Sequence, residues 1–147
     1  MKKQILIFTL IIICFQIACS QENKPPILGQ EENYSYEVVV DGIFVPWGMA
    51  FIKSEELLVT EQSGILYHVK NGNKNEVDGL PKVYFRGQGG LLDVALHPDF
   101  KLNKTIFFTL GVNTENDKKG GNTSLYSATL DGSKLINVKQ LYKATPN

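Results

Sequence analysis

The sequence predicts an all-β fold, and three features predict it. From Tyr34 onward, short apolar runs alternate with turn pairs such as Asp41-Gly42, Asn71-Gly72 and Asp131-Gly132. No stretch carries a sustained helical period with capping residues at its ends. The runs also repeat, falling into two successive units of four strands.

Taken in order, Tyr36-Glu37-Val38-Val39-Val40 predicts a first strand that ends at Asp41-Gly42. Residues 48–52 form a short apolar run, and Leu57-Leu58-Val59-Thr60 follows after a charged turn. Residues 65–69 alternate apolar and polar side chains and stop at Asn71-Gly72, a strong hairpin signal. Residues 91–96, 105–110, 125–129 and 138–142 continue the series, the last two joined through Asp131-Gly132.

The repeat emerges when these runs are aligned. Gly48-Met49-Ala50-Phe51 matches Asp93-Val94-Ala95-Leu96, and Leu57-Leu58-Val59-Thr60 matches Ile106-Phe107-Phe108-Thr109. Leu66-Tyr67 then matches Leu125-Tyr126, each followed by a glycine turn and one more strand. Units of about 45 to 55 residues have the spacing of β-propeller blades. The strand at 36–40 has no partner of its own and would complete a final blade in a closed ring. Two blades leave apolar faces that expect neighbours, because such repeats rarely stand alone below about three. Residues 20–147 expressed alone are therefore expected to associate through open strand edges and bare faces.

The first residues read as an export signal. Met1-Lys2-Lys3 is a positive start, and residues 5–13 form an apolar run shorter than the roughly 20 residues a spanning helix needs. Ile17-Ala18-Cys19-Ser20 resembles the bacterial lipoprotein cleavage site, although Gln16 departs from the usual aliphatic residue. On this reading residues 1–18 are removed and Cys19 is the lipidation site. An ordinary signal peptide would instead leave Cys19 as a free N-terminal thiol. Cys14 is too early to be the lipid site. Residues 19–33, polar with Pro25-Pro26, form a tether, which gives a membrane-anchored lipoprotein facing the periplasm or cell surface. The mature chain then has no other cysteine, which excludes disulfides and thiolate metal sites.

Charge narrows the partners further. Fifteen Lys and Arg balance fifteen Asp and Glu, so no net field draws nucleic acid or an anionic membrane surface. The chain is 43% hydrophobic and 20% charged, which is globular rather than disordered.

Three segments carry a resemblance: Pro46-Trp47-Gly48-Met49-Ala50-Phe51; Leu58-Val59-Thr60-Glu61-Gln62-Ser63-Gly64; and the long run from Gly87-Gln88-Gly89-Gly90-Leu91-Leu92-Asp93 to His97-Pro98-Asp99-Phe100. Together they resemble the soluble quinoprotein glucose, aldose-sugar and sorbosone dehydrogenases. The resemblance implies a six-bladed β-propeller, with residues 34–147 as its N-terminal part. It also implies pyrroloquinoline quinone (PQQ) and calcium as cofactors, and oxidation of an aldose at the anomeric carbon by hydride transfer to the quinone. It places Gln88 at the sugar site, a role an amide suits because it both donates and accepts hydrogen bonds. From the residues alone, Gln88 could equally tie together its own glycine loop.

The resemblance implies that the catalytic base is a histidine in a downstream His-x-Gly-Gly/Ser segment, which has no match here. The quinone and calcium ligands also lie later in the family pattern, so these residues are expected to be inactive alone. His97 beside Asp99 invites a general-base reading, but the His97-Pro98-Asp99-Phe100 run reads as a turn. His68 falls in an alternating strand, and Trp47 is expected to anchor a blade edge in the core. Asp93 and Glu61 have no second carboxylate at a motif spacing. Two further functions remain open: a non-catalytic propeller that binds glycan or protein, as in the Hedgehog-interacting protein, or a truncated remnant.

Overall fold

A computed structural model of the protein describes residues 35–114 and 120–145. The expected signal peptide, Cys19 and the whole tether lie outside the described residues. The described residues from Glu37 onward group as one compact unit.

The strands are β1 (Pro46–Lys53), β2 (Glu56–Glu61), β3 (Ile65–Lys70), β4 (Asn73–Glu76), β5 (Leu91–Leu96), β6 (Thr105–Asn113), β7 (Gly121–Asp131) and β8 (Lys134–Lys143). A one-turn helix, α1 (Phe100–Asn103), lies between β5 and β6. The strands form two antiparallel sheets, β1-β2-β3-β4 and β5-β6-β7-β8, each a simple meander. These are two propeller blades, and the aligned repeats occupy equivalent strands in them.

Local chemistry sets the turns. Asn71 and Gly72 both take positive φ (49° and 75°), the signature of the tight hairpin turn whose twist matches the strands it joins. Gly132, at φ 59°, opens the two-residue turn between Asp131 and Lys134. In β8, Asn137 at φ 55° falls where the pairing with β7 shifts register, which kinks the outermost strand.

Period-two alternation decides the packing. Along β2, Leu57 and Val59 point to one face while Leu58 and Thr60 point to the other, and all four are buried. Leu58 and Leu66 meet Leu91, Val94, Ile106, Phe108 and Leu110 of the second sheet in a shared core between the blades. Phe108 stacks on Tyr126 within it, ring centroids 5.6 Å apart, and burial raises the Tyr126 hydroxyl pKa above its ordinary value. A second cluster (Leu57, Val59, Tyr67, Val69) lies on the opposite face of the first sheet, partly covered by Val40 and Ile43. Burial, followed by the nearby Glu61 carboxylate, raises the pKa of Tyr67.

The inner strands are joined by one buried hydroxyl. Thr60 Oγ1 accepts from the Gly48 N–H (2.9 Å) and bonds to the Leu92 carbonyl, so β1, β2 and β5 meet at a single side chain. Farther out, the chain leaving β4 reaches the second sheet, where Asp78 bonds to the turn before β8 and to β8 itself: Asp78 N–H to Ser133 O (2.9 Å) and Leu135 N–H to Asp78 O (2.7 Å).

Two local expectations need correction. Residues 36–40 do not form a strand. No described strand offers them a ladder, and Val38 and Val39 remain exposed while Val40 and Ile43 settle on the second cluster. The following segment is held by side chains instead: Lys74 Nζ donates to the carbonyls of Asp41 and Gly42, and Phe44 N–H donates to the Glu61 carboxylate at 3.1 Å. Trp47 is not a core residue either. It is 45% exposed, on an edge strand and within the register shift between Pro46 and Met49.

Candidate functional site

The meanders give the unit two rims. One carries the starts of β1 and β5, the turn at 62–64 and the last part of the connection from β4 to β5; the other carries the turns at 54–55, 71–72 and 132–133 together with α1. On the first rim, residues 84–90 fold into a loop over a recess of about 560 Å³. Tyr84, Arg86 and Gln88 line it from the loop side, and Leu92, Gly111, Asn122 and Thr123 from the second sheet.

The loop is fixed almost entirely through its backbone. Tyr84 N–H donates to Gly111 O (2.8 Å), and Gly111 N–H donates to Gly90 O (2.8 Å), anchoring both ends on β6. Gly89 N–H donates to Arg86 O (2.9 Å), closing a tight turn with Gln88 at its tip. Gly90, at φ 151°, lies against Gln62: a Cβ there would be 2.2 Å from the Gln62 carbonyl oxygen.

Gln62 ties this loop down. It is 8% exposed, and its side-chain amide donates to the carbonyls of Gly87 (3.0 Å) and Gly89 (3.3 Å). Its own carbonyl accepts from Leu91 N–H (3.0 Å), and its N–H donates to Val45 O (3.0 Å). Gln88, by contrast, is exposed and bonds to no other described residue. The loop-tying role conceivable for Gln88 from sequence therefore belongs to Gln62. Sequence reading missed Gln62 because a glutamine after a strand looks like any solvated turn residue; its burial is visible only in three dimensions.

The histidines lie elsewhere. His97 Nδ1 accepts from Asp99 N–H (3.0 Å), lies 3.0 Å from Asn103 Nδ2, and its ring stacks on Phe107, which closes the connection to α1. His68 Nε2 is 2.9 Å from Glu56 Oε1, whose other oxygen pairs with Lys53. Glu61 accepts from Phe44 N–H, Ser63 Oγ (2.7 Å) and Tyr67 Oη (3.5 Å), a structural knot rather than half of a carboxylate pair. Among the described residues lining the recess there is no His, Asp, Glu or Lys. The recess can therefore bind and orient a polyhydroxylated molecule through amide, hydroxyl, guanidinium and backbone groups, but these residues give it no general base.

A family model described as Glucose / Sorbosone dehydrogenase matches residues 43–147. The chain belongs to this family. Among family relatives, the aldose sugar dehydrogenase YliI of Escherichia coli is 31% identical over 113 residues, a match spanning 75% of this chain and 30% of that protein. The crystal structure of the soluble aldose sugar dehydrogenase of Escherichia coli in its apo form superposes with a TM-score of 0.68 at 30% identity, over 75% of this chain and 33% of that one. The PQQ-bound aldose sugar dehydrogenase of Streptomyces coelicolor, at 24% identity and a TM-score of 0.65 over 75% of this chain and 33% of that one, shares the fold. The chain thus spans about a third of the length of these dehydrogenases.

For the PQQ and calcium that the resemblance implies, the described residues offer neither a carboxylate or imidazole cluster nor concentrated positive charge. No group of three or more His, Cys, Asp or Glu stands among them that could hold a metal ion. The recess offers one cation, Arg86, against the several carboxylates of the quinone. No described helix is long and apolar enough to cross a membrane.

Proposed function

We propose that these residues form the sugar-facing part of a PQQ- and calcium-dependent aldose dehydrogenase, exported and anchored through lipid on Cys19. Gln88 contacts the sugar. The observation that carries this reading is a free amide at the tip of a glycine loop tied down on both sides, facing a recess large enough for a monosaccharide. An exposed side chain with unspent donors and acceptors, on a backbone that cannot drift, suits hydroxyl recognition. The names of the relatives, both aldose sugar dehydrogenases, support the substrate class.

The division of labour follows from the same inventory. The recess residues bind and orient the sugar, while the proton acceptor and the cofactor ligands are contributed by other parts of the complete enzyme. The 147-residue chain supplied with PQQ, calcium and glucose is therefore expected to reduce no dye. The lack of a base in the recess also favours a binding propeller without chemistry. An in-frame His-x-Gly-Gly segment beyond codon 147 would decide for the enzyme.

Saturation-transfer NMR with glucose tests the site directly. Gln88→Ala should weaken the glucose signal about tenfold, the loss of a well-placed pair of hydrogen bonds, while stability changes by less than about 0.5 kcal/mol. Equal glucose binding by Gln88→Ala and the parent chain would remove Gln88 from the site. Lipid attachment is checked separately: Cys19→Ser should abolish incorporation of labelled fatty acid and release the protein from membranes.

A further inference from the structure

We infer that Gln62 is the positioning residue of the sugar site: by donating both amide protons to the carbonyls on either side of Gln88, it fixes where the Gln88 side chain points. The inference rests on the reading of Gln88 as a sugar contact and adds the residue that makes that contact possible.

The geometry is specific to a donor. Gly87 O and Gly89 O flank the tip residue, and Gln62 Nε2 lies 3.0 and 3.3 Å from them. One –NH₂ has two protons, so a single nitrogen serves both acceptors and staples the turn on each side of Gln88. Gln62 is itself immobilised. Its backbone is bonded to Leu91 on one side and Val45 on the other, and its side chain packs against the bare backbone of Gly90. Burial makes the arrangement consequential, because without the amide two carbonyls would lie beside an 8% exposed side chain with no donor facing them. Glutamine's neighbours by shape cannot substitute. A glutamate at this position is isosteric but presents oxygens to oxygens, and a methionine fills the space with no donor at all.

That chemistry provides a test that a merely structural role would not pass. In Gln62→Glu the carboxyl is buried and faces two carbonyl oxygens, both of which disfavour its ionised form, so its pKa lies above the ordinary glutamate value of about 4.3. Protonated, it regains one O–H donor for the loop; ionised, it repels both carbonyls. The variant should therefore behave as a pH-gated site.

The full chain is used throughout. Hydrogen exchange at the Gly89 and Leu91 amides reports the loop, and saturation-transfer NMR with glucose reports the site. At pH 8, Gln62→Glu should lose amide protection at both positions and bind glucose about tenfold more weakly than the parent chain. Toward pH 4.5 both readouts should recover together, while the parent chain and Gln62→Met show no such recovery and Gln62→Met stays impaired at every pH. Gln88→Ala should bind glucose about tenfold more weakly with protection intact.

The outcomes separate the two ideas. Lost protection with unchanged glucose binding in Gln62→Glu overturns the positioning role and leaves Gln88 standing. Unchanged protection at every pH overturns the clamp itself. Glucose binding that survives Gln88→Ala, or its absence from the parent chain, overturns the sugar-site reading and this inference with it.

Discussion

The two rims each carry a motif conspicuous in the sequence, and they use it in opposite ways. On one, His97-Pro98-Asp99-Phe100 contains the groups a chemist looks for first, and the histidine acceptor is consumed locally by Asp99, Asn103 and the face of Phe107. On the other, Gly87-Gln88-Gly89-Gly90 contains no ionisable group, yet leaves Gln88 unbonded over a recess. The lesson is that reactivity of residue type is a poor guide to a site. Availability is the better one, and availability depends on what else holds the loop. The first rim spares Gln88 because Gln62, a residue from another turn, does the holding.

The sharpest way to break this comparison is at Gly90. A Cβ at that position would meet the Gln62 carbonyl oxygen at 2.2 Å and require a side chain at φ 151°. Gly90→Ala should cost about 2–4 kcal/mol in denaturant unfolding, combining backbone strain with overpacking. It should also separate Gln62 from the loop and so abolish glucose binding. A cost under about 1 kcal/mol would mean that the contact between turn and loop is loose, and the contrast between rims would lose its basis.

His97→Ala sharpens the comparison from the other side. The substitution removes an acceptor and a stacked ring from an exposed connection where water can replace the bonds, so the cost should be about 1 kcal/mol. Glucose binding should be unchanged. A selective loss of sugar recognition or of activity in the complete enzyme, with stability intact, would make His97 a functional residue after all.

Much of this was legible in the sequence because it depends on local rules. The apolar run at 57–60 specifies a strand buried on both faces, the run at 106–109 one that buries Ile106 and Phe108 on a single face, and Asn71-Gly72 supplies the positive φ pair its hairpin needs. The glycine-rich run announced a loop with unusual backbone, and the loop is there. What was illegible depends on contacts between distant segments. Residues 36–40 have the composition of a strand, but a strand exists only where a neighbour offers a ladder, which no β-propensity records. Trp47 has the hydrophobicity of a core residue, but it sits on an edge strand at a register shift. Gln62 is separated from Gly87 by 25 residues, and nothing local distinguishes a buried amide from a solvated one.

The smallest expected effect concerns the rim opposite the recess, where charge takes the place of loop geometry. Lys53, hydrogen-bonded to Glu56 at 3.1 Å, holds that carboxyl below its ordinary pKa; the bond to His68 and the charge of Lys70 add to this, against the opposing effect of burial. The sign follows from linkage. A carboxyl whose folded pKa is depressed stabilises the fold above its unfolded value of about 4.3, and that contribution is lost as pH falls through the folded value. The turn at 54–55 that these groups border also receives Asn71 N–H on Glu55 O (2.9 Å), so its opening is readable at the Asn71 amide. From pH 6 to pH 3 the parent chain should lose stability relative to Glu56→Gln, which cannot titrate, and Asn71 exchange should quicken in the parent while Leu91 exchange on the recess rim keeps pace with the variant. If parent and variant instead lose stability in parallel across that range, the Lys53–Glu56–His68 arrangement is a surface ornament, and the two rims differ in loop geometry alone.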